Sequence, residues 1–161
     1  MEYPFPDLPT LAFPEAALRL EVRQEKWQVY DVGRKKWLVL TPEEWVRQHA
    51  VDYLVRHLGY PRALVKSEGG QKVHGMTRRF DVLAYSRAGA PLLLMECKAP
   101  SVKITQATFE QVSAYNLHQR APLLVVTNGM QHYCCQVDFE KRSYSWLQEI
   151  PQFDSAGSLQ A

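Results

Sequence analysis

Leu18, Leu20 and Val22 alternate with Arg19, Glu21 and Arg23, the period of a half-buried strand. Trp27, Val29 and Tyr30 follow a polar turn, so a hairpin is expected ahead of the main fold. Thr41-Pro42-Glu43-Glu44 then supplies an N-cap threonine, a proline at the first helical position and a glutamate three residues after the cap. The helix begun there should run to Leu58 with Val46, Ala50, Tyr53, Leu54 and His57 on one side, and stop at Gly59 before Tyr60-Pro61. Strand-like runs follow at 63–68, 79–85 and 91–98, separated by a polar, Gly-containing segment at 69–77 and by residues 86–90. Connections this short favour antiparallel neighbours. A second helix over 104–119, free of Gly and Pro, leads to a strand at 122–127, the turn Asn128-Gly129 and a strand at 131–138. The order is helix, three strands, helix, strand, plus one further strand: an αβββαβ core of α/β (α+β) class. Residues 1–14, with four prolines, read as an extended arm, either lying on the surface or partly disordered, and 155–161 as a loose tail.

With 161 residues and 46% hydrophobic content, the chain can build one packed core. Its net charge of +2 is small, so a nucleic-acid surface would have to come from local clusters. Two exist: Arg34-Lys35-Lys36 beside Trp37, which reads first as a solvated turn, and Arg78-Arg79. Trp37, Trp45 and Trp146 read as core rather than as stacking platforms. The N-terminus carries no basic leader followed by an apolar core, and no stretch reaches the roughly 18–20 apolar residues of a membrane span. A soluble, cytoplasmic chain without membrane association is expected. Cys97, Cys134 and Cys135 suggest no disulfide framework, and the histidines show no zinc-ligand spacing. A bound metal would have to be held by carboxylates. No GxSxG motif is present, which argues against a covalent intermediate.

Within Leu92-Leu93-Leu94-Met95-Glu96-Cys97-Lys98, a carboxylate and an ammonium interrupt a strand that otherwise reads as buried, a costly placement unless both have partners. Strand alternation puts Glu96 and Lys98 side by side. Taken alone, such a triplet is usually a surface ion pair at a strand end. Asp81, however, likewise interrupts the apolar run Phe80-Asp81-Val82-Leu83 on a neighbouring strand, so two acids and a lysine converge at one end of the sheet. Phosphodiester hydrolysis calls for that set. A hard divalent cation needs oxygen ligands, here Asp81, Glu96 and the main-chain carbonyl of Cys97, while Lys98 orients the attacking water and offsets charge on the phosphate. Arg78 and Arg79 would meet the incoming phosphate at the mouth of the site. On the second helix, Gln111 falls within the face of Ile104, Ala107, Thr108, Tyr115 and His118, either as a buried amide or as a site residue one turn from Tyr115.

The series Asp81, Glu96-Cys97-Lys98, Gln111-Val-Ser-Ala-Tyr115 resembles the D…ExK…QxxxY pattern of PD-(D/E)xK nucleases. Residues 30–48, with Met95-Glu-Cys-Lys-Ala-Pro100, Tyr115-Asn116 and Thr127-Asn-Gly129, are similar to the N-terminal nuclease domain of type I restriction enzyme R subunits. The resemblance spans 27–151, leaving 1–26 as an arm with a first strand and 152–161 as a tail. It implies a restriction-endonuclease-like mixed β-sheet flanked by helices, Mg²⁺ dependence (with Mn²⁺ able to substitute) and double-stranded DNA as substrate. It also implies that Glu44, on the first helix, acts at the metal through water, although Glu44 could serve only as the capping-box residue; Glu68 is a further acidic neighbour. The chain carries no GxxxxGK[ST] loop and no helicase motor, so it would act alone, as a homodimer, or with separate motor, specificity or methyltransferase subunits. The competing reading is a DNA-binding or assembly module that keeps the fold and does not cut. A nuclease for RNA or single strands is a third.

Overall fold

The computed structural model describes residues 2–73 and 76–159, and for 68–79 the backbone alone. Strands β1 (Leu20–Arg23), β2 (Lys26–Asp31) and β3 (Lys36–Val39) form a small antiparallel sheet in that order. The expected hairpin thus gains a third strand. The β1–β2 turn places Gln24 and Glu25 at φ of 50° and 62°, the paired left-handed geometry that matches strand twist in a two-residue hairpin. The cluster at 34–36 is not a solvated turn throughout: Lys36 opens β3, and Arg34 folds back onto Asp31, whose Oδ1 accepts from the Arg34 N–H at 2.9 Å.

The main sheet contains β4 (Val65–Val73), β5 (Met76–Tyr85), β6 (Pro91–Cys97), β7 (Leu123–Thr127), β8 (His132–Asp138) and β9 (Ser143–Leu147), ordered in sequence. Every pairing is antiparallel except β6 with β7. A parallel pair needs a crossover, which α2 (Gln106–Gln119) provides. Because both faces of β6 and β7 are covered, their sequences run apolar without alternation, and all five residues of β7 are buried. Segment 69–77, expected as a loop, is mostly strand: β4 and β5 pair from Val65↔Ala84 to Val73↔Met76.

One sheet face packs on α1 (Pro42–Asp52) through Val46, Ala50, Leu54, Val82, Leu93, Met95, Leu123 and Val125. The other packs on α2 through Phe80, Leu83, Leu94, Phe109, Val112, Leu124 and Val126. The first helix does continue to Leu58, but residues Tyr53–His57 form a π turn. Apolar residues at 46, 50, 54 and 58 repeat every four positions, longer than the 3.6 of an α-helix, and the wider turn takes up the drift. Leu58 is therefore buried and His57, expected on the packed side, is exposed.

The expected arm and tail are both docked. Trp27 Nε1 donates to the Tyr3 and Pro4 carbonyls, Trp45 Nε1 donates to the Pro9 carbonyl at 2.9 Å, and the Ala12 N–H bonds the Gly129 carbonyl at 2.7 Å. A short α3 (Phe153–Gly157) buries Phe153 and Ala156 and donates the Phe153 N–H to the Leu58 carbonyl. Its two apolar residues, three apart, are too few to give a period.

Gly129 (φ +84°) lies under the arm, where an added Cβ would meet Leu11 Cδ2 at 2.8 Å and Val46 Cγ2 at 3.1 Å; at Gly59 (φ +77°) nothing lies within 4 Å. Gly59→Ala should cost the left-handed backbone penalty alone, about 1–2 kcal/mol. Gly129→Ala should cost more, with the excess reporting the displaced arm. Urea denaturation of both variants measures the difference, and equal losses would show that Leu11 moves aside without cost.

Candidate active site

The β5–β6 ladder stops at Val82↔Met95, while β6 continues alongside β7 through Glu96↔Val126 and Cys97↔Thr127. The next residues outward, Asp81 and Glu96, thus stand at a point where the sheet opens. Cys97 no longer has a β5 carbonyl opposite it, and its N–H donates to Asp81 Oδ2 at 2.7 Å. The acid takes the place of a main-chain acceptor, which fixes its orientation. Lys98 is held on the other side, its N–H bonded to the Thr127 carbonyl at 2.8 Å and its Nζ 3.2 Å from Glu96 Oε1.

Glu96 lies within the electrostatic reach of Asp81. Burial, then the charge of Asp81, pushes the Glu96 carboxyl up to about 8 against the opposing pull of Lys98. Burial tends to lower Lys98, but Glu96, Asp81 and Glu43 outweigh it and the ammonium is held above its ordinary range. The thiol of Cys97, fully buried and facing these acids, is pushed well above the usual thiol value. It is no nucleophile.

From α1, Arg47 reaches the same point. Its guanidinium donates to Asp81 Oδ1 at 3.1 Å, to Glu44 at 2.7 Å and to Glu43 at 3.3 Å. Glu44 also accepts from Gln48 at 2.9 Å and Arg34 at 3.3 Å, and Arg34 and Gln48 both bind Asp31. A buried chain of alternating charge, Asp31–Arg34–Glu44–Arg47–Asp81, therefore joins the small sheet to the site.

This placement corrects the capping-box expectation for Glu44. Thr41 caps the helix by accepting from the Glu44 N–H, but the Glu44 carboxylate turns to Arg47, Gln48 and Arg34, while the Thr41 N–H bonds Val39. It is also separated from Asp81 by a guanidinium. The α1 acid coupled to Asp81 and Lys98 is Glu43, half exposed, its carboxyl raised by burial and then by Asp81. Neither Glu43 nor Arg47 was singled out from the sequence. The available signal was their spacing, since Glu43 and Arg47 lie one helical turn apart on the flank of the face that carries Val46 and Ala50.

The face assigned to the second helix is also different. Phe109, Val112 and Asn116 are buried, whereas Ala107, Gln111 and His118 are exposed and Ile104, Thr108 and Tyr115 are half-buried. Asn116, not Gln111, is the buried amide, clamping the helix end through both the Ala121 N–H and carbonyl at 2.9 Å. Gln111 Nε2 donates to the Tyr115 hydroxyl at 3.3 Å. The structure thus brings together Asp81, Glu96, Lys98 and the Cys97 main chain, and pairs Gln111 with Tyr115 on α2. The side chains of Arg78, Arg79 and Glu68 lie outside the described residues.

Among the described residues no cluster of three or more His, Cys, Asp or Glu side chains is arranged to hold a metal. Asp81 and Glu96 nevertheless offer the oxygen donors a hard cation takes, and burial with the charge of Asp81 disfavours the ionised form of Glu96 until positive charge arrives.

A mixed sheet between helices, opened at an Asp/Glu pair with a lysine alongside, is the arrangement of a restriction-endonuclease-like fold. Residues 42–151 match the family described as type I restriction enzyme R protein N terminus (HSDR_N), and the chain belongs to it. A solved fragment described as an HsdR subunit of a type I restriction enzyme from Vibrio vulnificus YJ016 is similar in fold, with 18% sequence identity and a TM-score of 0.54. The similarity covers 74% of this chain and 25% of that one, so the chain spans about a quarter of that subunit fragment. No curated protein matches. No helix among the described residues is long and apolar enough to cross a membrane.

Glu96 generates a pH dependence. A carboxyl raised from its ordinary 4.5 to about 8 keeps its proton in the fold after the unfolded chain has lost it, so stability should fall as pH rises through that window. Glu43 shifts in the same direction. Glu96→Gln should flatten the decline between pH 5 and 8 in chelator-treated protein, read by denaturant midpoints. An unchanged slope would place the titration elsewhere.

Proposed function

We propose that the chain is a metal-dependent endonuclease that hydrolyses DNA phosphodiester bonds, in the manner of a type I restriction R-subunit nuclease domain without its motor. The observation that carries this is the placing of Asp81 and Glu96 together where the β5–β6 ladder ends, with the Cys97 N–H bonded to Asp81 and Lys98 Nζ 3.2 Å from Glu96. Asp81, Glu96 and the Cys97 carbonyl would hold Mg²⁺ or Mn²⁺, whose contribution when bound is to polarise the phosphate and acidify water. Asp81 is fixed by Arg47 and the Cys97 N–H, so its carboxylate requires little reorganisation. Lys98, kept charged by its acidic neighbours, is placed to orient water and to offset the charge that grows on the phosphate. Double-stranded DNA is the proposed substrate, with Arg78 and Arg79 meeting its backbone, and Gln111 and Tyr115 supporting the site from α2. Motor, specificity or methyltransferase subunits are the proposed partners, in the cytoplasm.

One observation favours a second reading, a binding or assembly module that does not cut: both oxygens of Asp81 are already engaged. Plasmid incubated with the purified chain, with Mg²⁺ and with chelator, separates the two. Mg²⁺-dependent nicking or linearisation supports the nuclease. Intact plasmid under both conditions supports the module.

Two sets of variants test the roles within the nuclease reading. By calorimetry, Asp81→Ala and Glu96→Ala should lose most Mg²⁺ or Mn²⁺ binding. Lys98→Ala should bind the ion at least as well, because a repelling charge is gone, yet cut roughly 10²- to 10³-fold more slowly. Wild-type cleavage by Lys98→Ala would reduce the lysine to an ion-pair partner of Glu96.

A further inference from the structure

β9 closes one side of the main sheet, and its outer edge carries no backbone hydrogen bond among the described residues. An open edge bearing apolar side chains invites further pairing, and proteins usually cover or charge it. This one carries Tyr144, 47% exposed, and Trp146, 57% exposed. Trp146, expected from the sequence to be core, is therefore largely outside it. Both rings lie on the α2 side against Phe109, Tyr144 edge-on and Trp146 tilted, with centroids 5.3 and 4.8 Å away. They stand ready-oriented on a strand whose Ser143 and Ser145 are small, polar and exposed and whose Leu147 is half-buried.

The edge is also complementary to itself. In an antiparallel pair of two β9 strands centred on Ser145, Tyr144 of each copy faces Trp146 of the other and Ser143 faces Leu147. Beyond the strand ends, exposed Lys141 faces exposed Glu149. The two-fold axis repeats each contact, giving two aromatic pairs on one face and two opposite-charge pairs at the flanks. Parallel or shifted registers lose one or both sets.

We propose that the outer edge of β9 is a homodimer interface, joining two six-stranded sheets through an antiparallel β9–β9 pair centred on Ser145. This assignment is independent of the nuclease reading, because the interface uses none of the site residues. The two rings on each copy fill the step beside Phe109 of the same chain, and the charge order of 141–149, basic then acidic, selects the antiparallel direction.

The register can be tested by crosslinking. Directly opposed residues of an antiparallel pair have Cα atoms about 4.5–5.5 Å apart, within disulfide range. The native cysteines are buried, so an introduced surface cysteine reports alone. Ser145→Cys should give a disulfide dimer under mild oxidation. Ser143→Cys should not, because its two copies would be offset by four residues, about 13 Å along the strand. Light scattering should give twice the chain mass for the wild type and a single chain mass for Trp146→Glu that remains folded by circular dichroism. A monomeric wild type at high micromolar concentration, equal crosslinking at 143 and 145, or an undiminished Trp146→Glu dimer would each overturn the assignment. A different protein seated on this edge would leave the purified chain monomeric and so count against it.

Discussion

The site depends on one buried cation. Arg47 joins α1 directly to Asp81 at 3.1 Å, and it does so while bonded to Glu44 and Glu43. Three carboxylates around one guanidinium would be untenable without further donors, and Arg34 and Gln48 supply them at Glu44. Removing one partner from such a buried pair typically costs about 3–5 kcal/mol, because the remaining charge has lost both water and counterion. The same network that seats the helix therefore also orients the Asp81 carboxylate.

Glu96 is under the opposite condition. Its neighbours include one cation and one acid, and burial outweighs the help from Lys98. Asp81 is held by Arg47 and the Cys97 N–H and Glu96 by Lys98, so the pair is asymmetric before any ligand arrives. The asymmetry follows from backbone geometry. Asp81 lies where the ladder ends and can accept the Cys97 N–H, whereas Glu96 remains within the β6–β7 pairing and its own main chain is already committed.

Much of this was legible in the sequence. Asp81, Glu96 and Lys98 could be found because each breaks an apolar strand, and burying charge without purpose is expensive. The core order of elements followed from period and turn chemistry. What escaped had a physical cause in each case. β9 exposes four of its five residues, so it has no buried period to detect. The face of α2 was misplaced because its buried residues include Asn116, whose amide is satisfied by the chain just past the helix and looks polar in sequence. Arg47 and Arg34 read as surface charge because their partners are distant in sequence, with Asp81 34 residues from Arg47. The π turn could not be foreseen from a pattern scored at 3.6 residues.

The charge chain from Asp31 to Asp81 also bears on what counts as the domain. The region shared with the restriction-subunit family begins at residue 42, at the first turn of α1. Asp31 and Arg34 lie before it, and so do Leu11 and the arm carbonyls that receive Trp27 and Trp45. A fragment cut at the family boundary would keep every residue of the D…ExK series and lose the far end of the network that holds Glu44. The unit recognisable by descent is thus smaller than the unit over which the charge chain runs, since Arg34, ahead of the shared region, bonds Glu44 within it.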